Sequence, residues 1–359
     1  MPDQSPSELN HAAGQVAHKR RKRYAGKYPR HFLEKYKEHS ESLDPETISK
    51  VIAAGKTPAG THRPIMVREV LMVLDPKPGE IAIDCTLGYG GHTAEILSRL
   101  QPGGRLLGLD ADPIELRRAE ARLRALGWQD STFSAHRMNF AGASKALKSE
   151  NLTEGADVIL ADLGVSSMQL DDPSRGFSVK FDGPLDMRMN PERGQPASVF
   201  LKSVSPQRLA AILLENADEA QAHALAIALA GKSFPTTRAL VAGVREAIPL
   251  RDRNDVDLTV RRVFQAIRIE INDEFSALES FLRNLPACLK PGGRAAVISF
   301  HSGEDRRVKK AFRAGFENGF YQEIAPDVIR PDFDERRSNP RSTPAKLRWA
   351  RRSAAAISD

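Results

Sequence analysis

Residues 81–92 read IAIDCTLGYGGH. A short apolar run, Ile81 to Leu87, passes through Gly88, Tyr89, Gly90 and Gly91 and then enters the amphipathic stretch Thr93 to Leu100. Strand, glycine turn and helix in that order predict the first β-turn-α unit of an open parallel sheet, with the glycines where the chain turns sharply and a ligand meets the backbone. A second strand, Arg105 to Leu109, runs into Asp110, eighteen residues after His92. A carboxylate at such a strand tip accepts hydrogen bonds from both hydroxyls of a ribose, so the two units together describe an adenosine site. A dinucleotide fingerprint would place Gly or Ala where this chain has Thr93, to pack a helix beneath a pyrophosphate. A nicotinamide-dependent oxidoreductase is disfavoured on that ground, and S-adenosylmethionine, which has no pyrophosphate, fits the turn. His92 has no second His or Cys at ligand spacing, so no metal is expected.

Working outward, Asp157 to Ala161 and Arg294 to Phe300 read as further buried strands, with another near Thr132 to His136 and a helix over Pro113 to Leu126. Pro102-Gly103-Gly104 and Pro291-Gly292-Gly293 mark turns before two strands. The strand tips Asp84, Asp110 and Asp162 are expected around one crevice. Between Ala161 and Arg294 lie far more residues than one crossover needs, so an inserted unit over 169–258 is expected, splitting a main domain of 61–168 and 259–359. Its first part, Leu170 to Asn190, reads as an ordered functional loop that can close over the crevice, and Ala197 to Leu250 as a small helical unit. Thr259 to Leu289 reads as one long helix returning to the sheet. The stretch Ser338 to Ser353 reads as ending in a basic strand at the sheet edge.

The chain has 359 residues, 41% of them apolar, enough for about two folded units and too many apolar residues for a disordered class. It carries 53 basic against 46 acidic residues, a formal net charge of +7, which suits a protein that meets a polyanion. Seven of the thirteen positions from His18 to Arg30 are Lys or Arg, with Tyr24 and Tyr28 between them, so residues 1–60 read as a basic appendage able to pair with phosphates and stack on unpaired bases. The two cysteines, Cys85 and Cys288, sit among apolar neighbours and read as buried thiols in a reducing compartment. No long apolar run and no signal-like start are present, so a cytoplasmic protein without membrane contact is expected.

Five stretches carry a more specific resemblance: TLGYGGHTAEIL, DLGVSSMQLDDPSRGFSVKFDGPLDMRMN, FQAIRIEINDE, LKPGGRAAVISFHSGEDRRVK and NPRSTPAKLRWARR. From about His62 to Arg352 the chain resembles the bacterial small-subunit ribosomal RNA (cytosine-N4)-methyltransferases of the MraW type, also called RsmH. The resemblance implies an α/β, Rossmann-like class I methyltransferase fold with an inserted helical domain. It implies S-adenosylmethionine as cofactor, and methylation of a cytidine N4 in the decoding region of small-subunit (16S) ribosomal RNA, free or in an assembling subunit. In that family the cofactor is bound at positions that fall here on Gly90, Gly91, His92, Asp110, Phe140, Asp162 and Gln169. Asp162 is also the candidate acceptor for the cytosine amino group, and Arg175, Arg188 and Arg306 are candidate RNA contacts. Where relatives carry other residues this chain has Met168, Gly303 and Asp257-Leu258, and the basic extension is not part of the usual pattern. A binding protein that assists ribosome assembly without catalysis, and a methyltransferase with a shifted RNA target, stay open as alternatives, as does a homodimer.

Overall fold

A computed structural model describes residues 64–248 and 253–354, so the basic extension and its proposed reading lie outside the described residues. The chain order is α1 Val67–Leu74, β1 Ile81–Asp84, α2 Gly91–Leu100, β2 Arg105–Asp110, α3 Pro113–Ala125, β3 Phe133–Arg137, α4 Ala143–Ser149, β4 Ala156–Asp162 and the short α5 Ser167–Asp171. Helices α6 Ala197–Ser203, α7 Pro206–Ala217, α8 Ala222–Leu229, α9 Thr237–Ala247 and α10 Arg253–Asn272 follow. The chain then runs through α11 Glu274–Cys288, β5 Leu289–Ser299, α12 Ser302–Glu317, β6 Tyr321–Ile324, α13 Phe333–Ser338 and β7 Lys346–Arg352.

The seven strands form one sheet in the order β3-β2-β1-β4-β5-β7-β6. The first five are mutually parallel, and β7 lies antiparallel between β5 and β6. This is the α/β, Rossmann-like order expected. Strands such as β2, whose Leu106 to Leu109 are all buried, need apolar cover on both faces. One face packs Met66, Val70, Ile96, Leu97 and Leu123 from α1 to α3 and the turn before them, and the other packs Ala146, Leu278, Phe281 and Phe312 from α4, α11 and α12. A third core, around Leu209, Leu213, Leu225, Leu240 and Val263, belongs to helices α6 to α10 and also takes in Phe177, Leu185 and Met187 from the preceding loop. Cys85 and Cys288 are both free and buried.

The structure differs from three sequence expectations. The segment Thr259 to Leu289 is two helices, because Asp273 adopts a left-handed conformation at φ 51° and ends α10 before α11 begins. The basic strand near the C-terminus is an interior strand, since β6, which the sequence reading omits, lies outside it. Pro291-Gly292-Gly293 is a bulge inside β5, which pairs with β4 at Leu289 and resumes at Arg294.

Interior placement of β7 has a direct consequence for stability. A chain ending at Thr343 loses the ladders to both β5 and β6 together with buried Leu347 and Ala350. That loss is of the same order as the roughly 5–15 kcal/mol by which a domain is stable. The truncated chain is expected to show no cooperative thermal transition by circular dichroism; a near-native cooperative melt would mean that β7 is dispensable to the core.

Candidate functional site

Gly88 and Gly90 have φ of 50° and 77°, so the turn after β1 bends twice through the left-handed region. A Cβ on Gly91 would lie 2.4 Å from Pro64 Cγ, so the turn is also closely packed. Asp110, at the tip of β2, holds this turn in place: its carboxylate accepts from the Gly88 N–H at 2.8 Å and from the Asp112 N–H at 2.8 Å. Burial raises the Asp110 pKa to about 7 despite those two bonds, with the nearby Asp112 and Glu115 charges adding to the rise. A buried carboxylate so poised gains from further donors, such as a pair of hydroxyls.

Beneath the turn, Asp84 accepts from Thr93 Oγ1 at 2.7 Å and from the Thr86 N–H at 3.1 Å. It is 1% exposed and does not line the crevice, which corrects the expectation for this strand tip: Thr93 consumes its carboxylate from behind. His92, also buried, has Nε2 3.6 Å from Asp162 Oδ2. Burial pushes the imidazole towards neutrality, but the Asp162 and Asp84 carboxylates outweigh it and leave the His92 pKa above its usual value. Both His92 Nε2 and Asp162 Oδ1 are buried without a hydrogen-bond partner.

The cavity they face has a volume of about 1550 Å³, lined by the strand tips, the turn after β1, the loop 163–170, part of the loop 180–194 and the junction of α10 with α11. Pockets for a single small molecule run to about 1,000 Å³ at most, so this one has room for a cofactor and part of a second substrate. Gly91, His92, Asp110, Phe140, Asp162, Gln169 and Arg188 line it, whereas Gly90, Arg175 and Arg306 do not. Gly90 is the left-handed N-cap residue of α2, set against the Leu123 side chain. Phe140 packs edge-on against Phe281 at 5.8 Å between ring centres. Gln169 spends its amide inside the protein: Oε1 accepts from the Ser166 N–H at 2.8 Å and Nε2 donates to Asp112 Oδ2 at 2.8 Å.

Two of the three arginines expected to touch RNA are placed elsewhere. Arg175 is 7% exposed, with its guanidinium on Asp112 Oδ2 at 2.8 Å and on the carbonyls of Arg188 and Met189 at 3.0 Å each. Arg306 is exposed on α12 and pairs with Asp218 at 2.8 Å, tying that helix to the end of α7. Arg188 does face the cavity, in a two-point pair with Asp186 at 2.7 and 2.8 Å.

Sequence reasoning missed Asp112, Arg268 and Asn272. Asp112 was legible as a helix cap, since Asp followed by Pro is a common helix start; its carboxylate accepts from the Ile114 and Glu115 N–H groups. Arg268 pairs with Glu274 at 2.8 and 2.9 Å across the α10–α11 break. Asn272 grips the loop, donating to the Met187 carbonyl at 2.8 Å and accepting from the Met189 N–H at 2.7 Å. Gly303, one of the departures, has a steric reason: a Cβ there would lie 2.6 Å from Phe275 Cζ.

Comparison with known proteins bears on what such a site serves. Residues 59–353 match the sequence model of the MraW methylase family. The chain is 46% identical over 342 residues to "Ribosomal RNA small subunit methyltransferase H 1" of Lachnoclostridium phytofermentans, covering 93% of each chain. It is 48% identical over 341 residues to "Ribosomal RNA small subunit methyltransferase H 2" of Alkaliphilus metalliredigens, covering 92% of this chain and 97% of that one. Coverage of 93% leaves about 25 residues unmatched, fewer than the basic extension contains, so part of the extension is shared with that relative. The relative from Rubrobacter xylanophilus, 40% identical, covers 82% of this chain, and the family model begins at residue 59; the extension therefore belongs to some members and not others. A match over most of the chain, to the family model and to these relatives alike, makes the chain a member of the MraW methylase family.

Proposed function

We propose that the protein transfers a methyl group from S-adenosylmethionine to the exocyclic N4 of a cytidine in the decoding region of small-subunit ribosomal RNA, free or in an assembling subunit. The observation that carries this reading is one cavity, too large for a cofactor alone, faced by the Asp110 and Asp162 carboxylates in a chain of the MraW methylase family. The names of its relatives, which specify small-subunit ribosomal RNA, support the target.

S-adenosylmethionine, when bound, supplies a methyl carbon on a sulfonium, already electrophilic without a metal. The residues have the remaining tasks. Asp110 accepts the ribose hydroxyls, the turn admits the ligand beside the backbone at Gly88 and Gly91, and Phe140 offers a ring face to the adenine. The amino group of cytosine is a poor nucleophile because its lone pair is delocalised into the ring. The Asp162 carboxylate, on a side chain 25% exposed, accepts one amino hydrogen, helps the nitrogen become tetrahedral and receives its proton. His92, beside Asp162 Oδ2, holds that carboxylate in place. A paired base cannot enter such a cavity, so the cytidine is unpaired or flipped into it. Lys180, Arg188 and Arg193, on the loop at the cavity wall, face its phosphates.

Asp110 gives the cofactor site a pH dependence. Ribose hydroxyls donate to the ionised carboxylate, so binding lowers its pKa from about 7, and affinity is lost as pH falls through that value. Calorimetry should find cofactor binding about tenfold weaker at pH 6 than at pH 8, with the dependence abolished in Asp110→Asn. Equal affinity at the two pH values together with wild-type affinity in Asp110→Asn would remove Asp110 as the ribose ligand. Arg188→Ala should slow methyl transfer by about tenfold, on the order of 1.4 kcal/mol at the barrier, with cofactor affinity nearly unchanged; a wild-type rate in a folded variant would leave Arg188 only its pair with Asp186. Deleting residues 1–60 should weaken RNA binding and lower the slope of log affinity against log salt by roughly 0.7 for each lost contact to single-stranded phosphate, without changing cofactor affinity. An unchanged slope would make the extension inert in RNA binding.

A further inference from the structure

We propose that Arg175 is a positioning residue for methyl transfer: through Asp112 and the backbone of Arg188 it fixes the substrate-facing loop relative to the cofactor turn. The inference rests on the methyltransferase reading above. Three bonded links join the two ends of the cavity. Asp110 accepts from the Asp112 N–H at 2.8 Å, Asp112 Oδ2 accepts from Arg175 at 2.8 Å, and the other end of the Arg175 guanidinium donates to the Arg188 and Met189 carbonyls at 3.0 Å.

The link is stiff at every joint. The side chains of Asp112 and Arg175 are 0% and 8% exposed, and Asp112 is fixed further by capping α3 and by Gln169. The loop that Arg175 holds has no slack. A Cβ on Gly183 would lie 1.8 Å from the Pro173 carbonyl oxygen, and Asn272 grips Met187 and Met189 from the other side. A buried ion pair is seldom the cheapest way to stabilise a fold, since apolar residues of similar volume often do as well or better. What this pair adds is direction. A planar fork with one end on Asp112 and the other on two carbonyls sets distance and angle between loop and turn, which an apolar contact leaves loose. Methyl transfer in line with the sulfonium bond depends on that geometry, because an error near 1 Å in placing the reactants costs about a hundredfold in rate.

A double-mutant cycle tests the proposal against a merely structural role. Arg175→Lys keeps a cation for Asp112 but cannot reach both carbonyls. With small subunits lacking N4-methylcytidine as substrate, Arg175→Lys should melt close to wild type, bind S-adenosylmethionine within about twofold, and lose about tenfold in kcat. Because Arg175 acts through Arg188, the double variant with Arg188→Ala should lose about ten- to twentyfold and not the hundredfold product of independent losses. A product near a hundredfold, or a wild-type rate in Arg175→Lys, would overturn the proposal. Should the lysine variant fail to fold, Asp112→Asn keeps the helix cap, removes the charge that holds Arg175, and must show the same non-additivity with Arg188→Ala. Wild-type protein that transfers no methyl group to these subunits would overturn the methyltransferase reading and this inference with it; an active wild type with multiplicative losses would overturn the inference alone.

Discussion

The Asp112 carboxylate is the point on which the cavity hangs. It is fully buried, and its two oxygens take four donors: the Ile114 and Glu115 N–H groups, Gln169 Nε2 and the Arg175 guanidinium. Four is about the number that a carboxylate can accept, so its desolvation is offset only while all of them stay in place. Those donors come from α3, from the short helix α5 after β4 and from the loop beyond it. The bond from its own N–H to Asp110 adds the tip of β2. One side chain thereby fixes the mutual position of four segments that local propensity alone would leave adjustable.

The seam between two cores explains why the cavity lies where it does. Helices α6 to α10 bury their own apolar residues and leave the sheet to its two covering layers. Contact between the units is made by the loop following α5, by α12 through Arg306 and Asp218, and by the α10–α11 break. At that break the left-handed Asp273 turns the chain, and Arg268 and Asn272 on one side and Glu274 and Phe275 on the other all reach the cavity wall. A continuous helix there would have carried the chain past the strand tips without facing them.

What the sequence discloses follows from the range of the forces involved. The glycine turn, the Asp110 strand tip and the parallel strands are legible because period, glycine and apolar runs act within a few residues. Strand β6 is not: YQEI is four residues with Gln322 and Glu323 exposed, and it becomes a strand because β7 pairs with it. Arg175 resembles a surface cation in a polar stretch, and its burial depends on Asp112, 63 residues earlier. Asp84 looks equivalent to Asp110 and Asp162 by position, yet Thr93, at the start of the next helix, takes its carboxylate. The same threonine that argues against a dinucleotide turn in the sequence is, in three dimensions, the group that removes one of three acids from the crevice.

The cavity is lined by charges of both signs. Asp110 and Asp162 lie at strand tips and Glu115 in the first turn of α3, and burial raises Asp110 and Glu115 to about 7 and makes their ionised forms costly. A cationic ligand at that end lowers this cost, which a neutral one would not do. Lys180, Arg193 and Arg261 also line the cavity and are exposed, with no carboxylate at ion-pair distance among the described residues. These cations repel a sulfonium and attract phosphates. The Arg175 bridge carries its own positive charge, but Asp112 cancels it, so the link adds rigidity beside the cavity without adding net charge there.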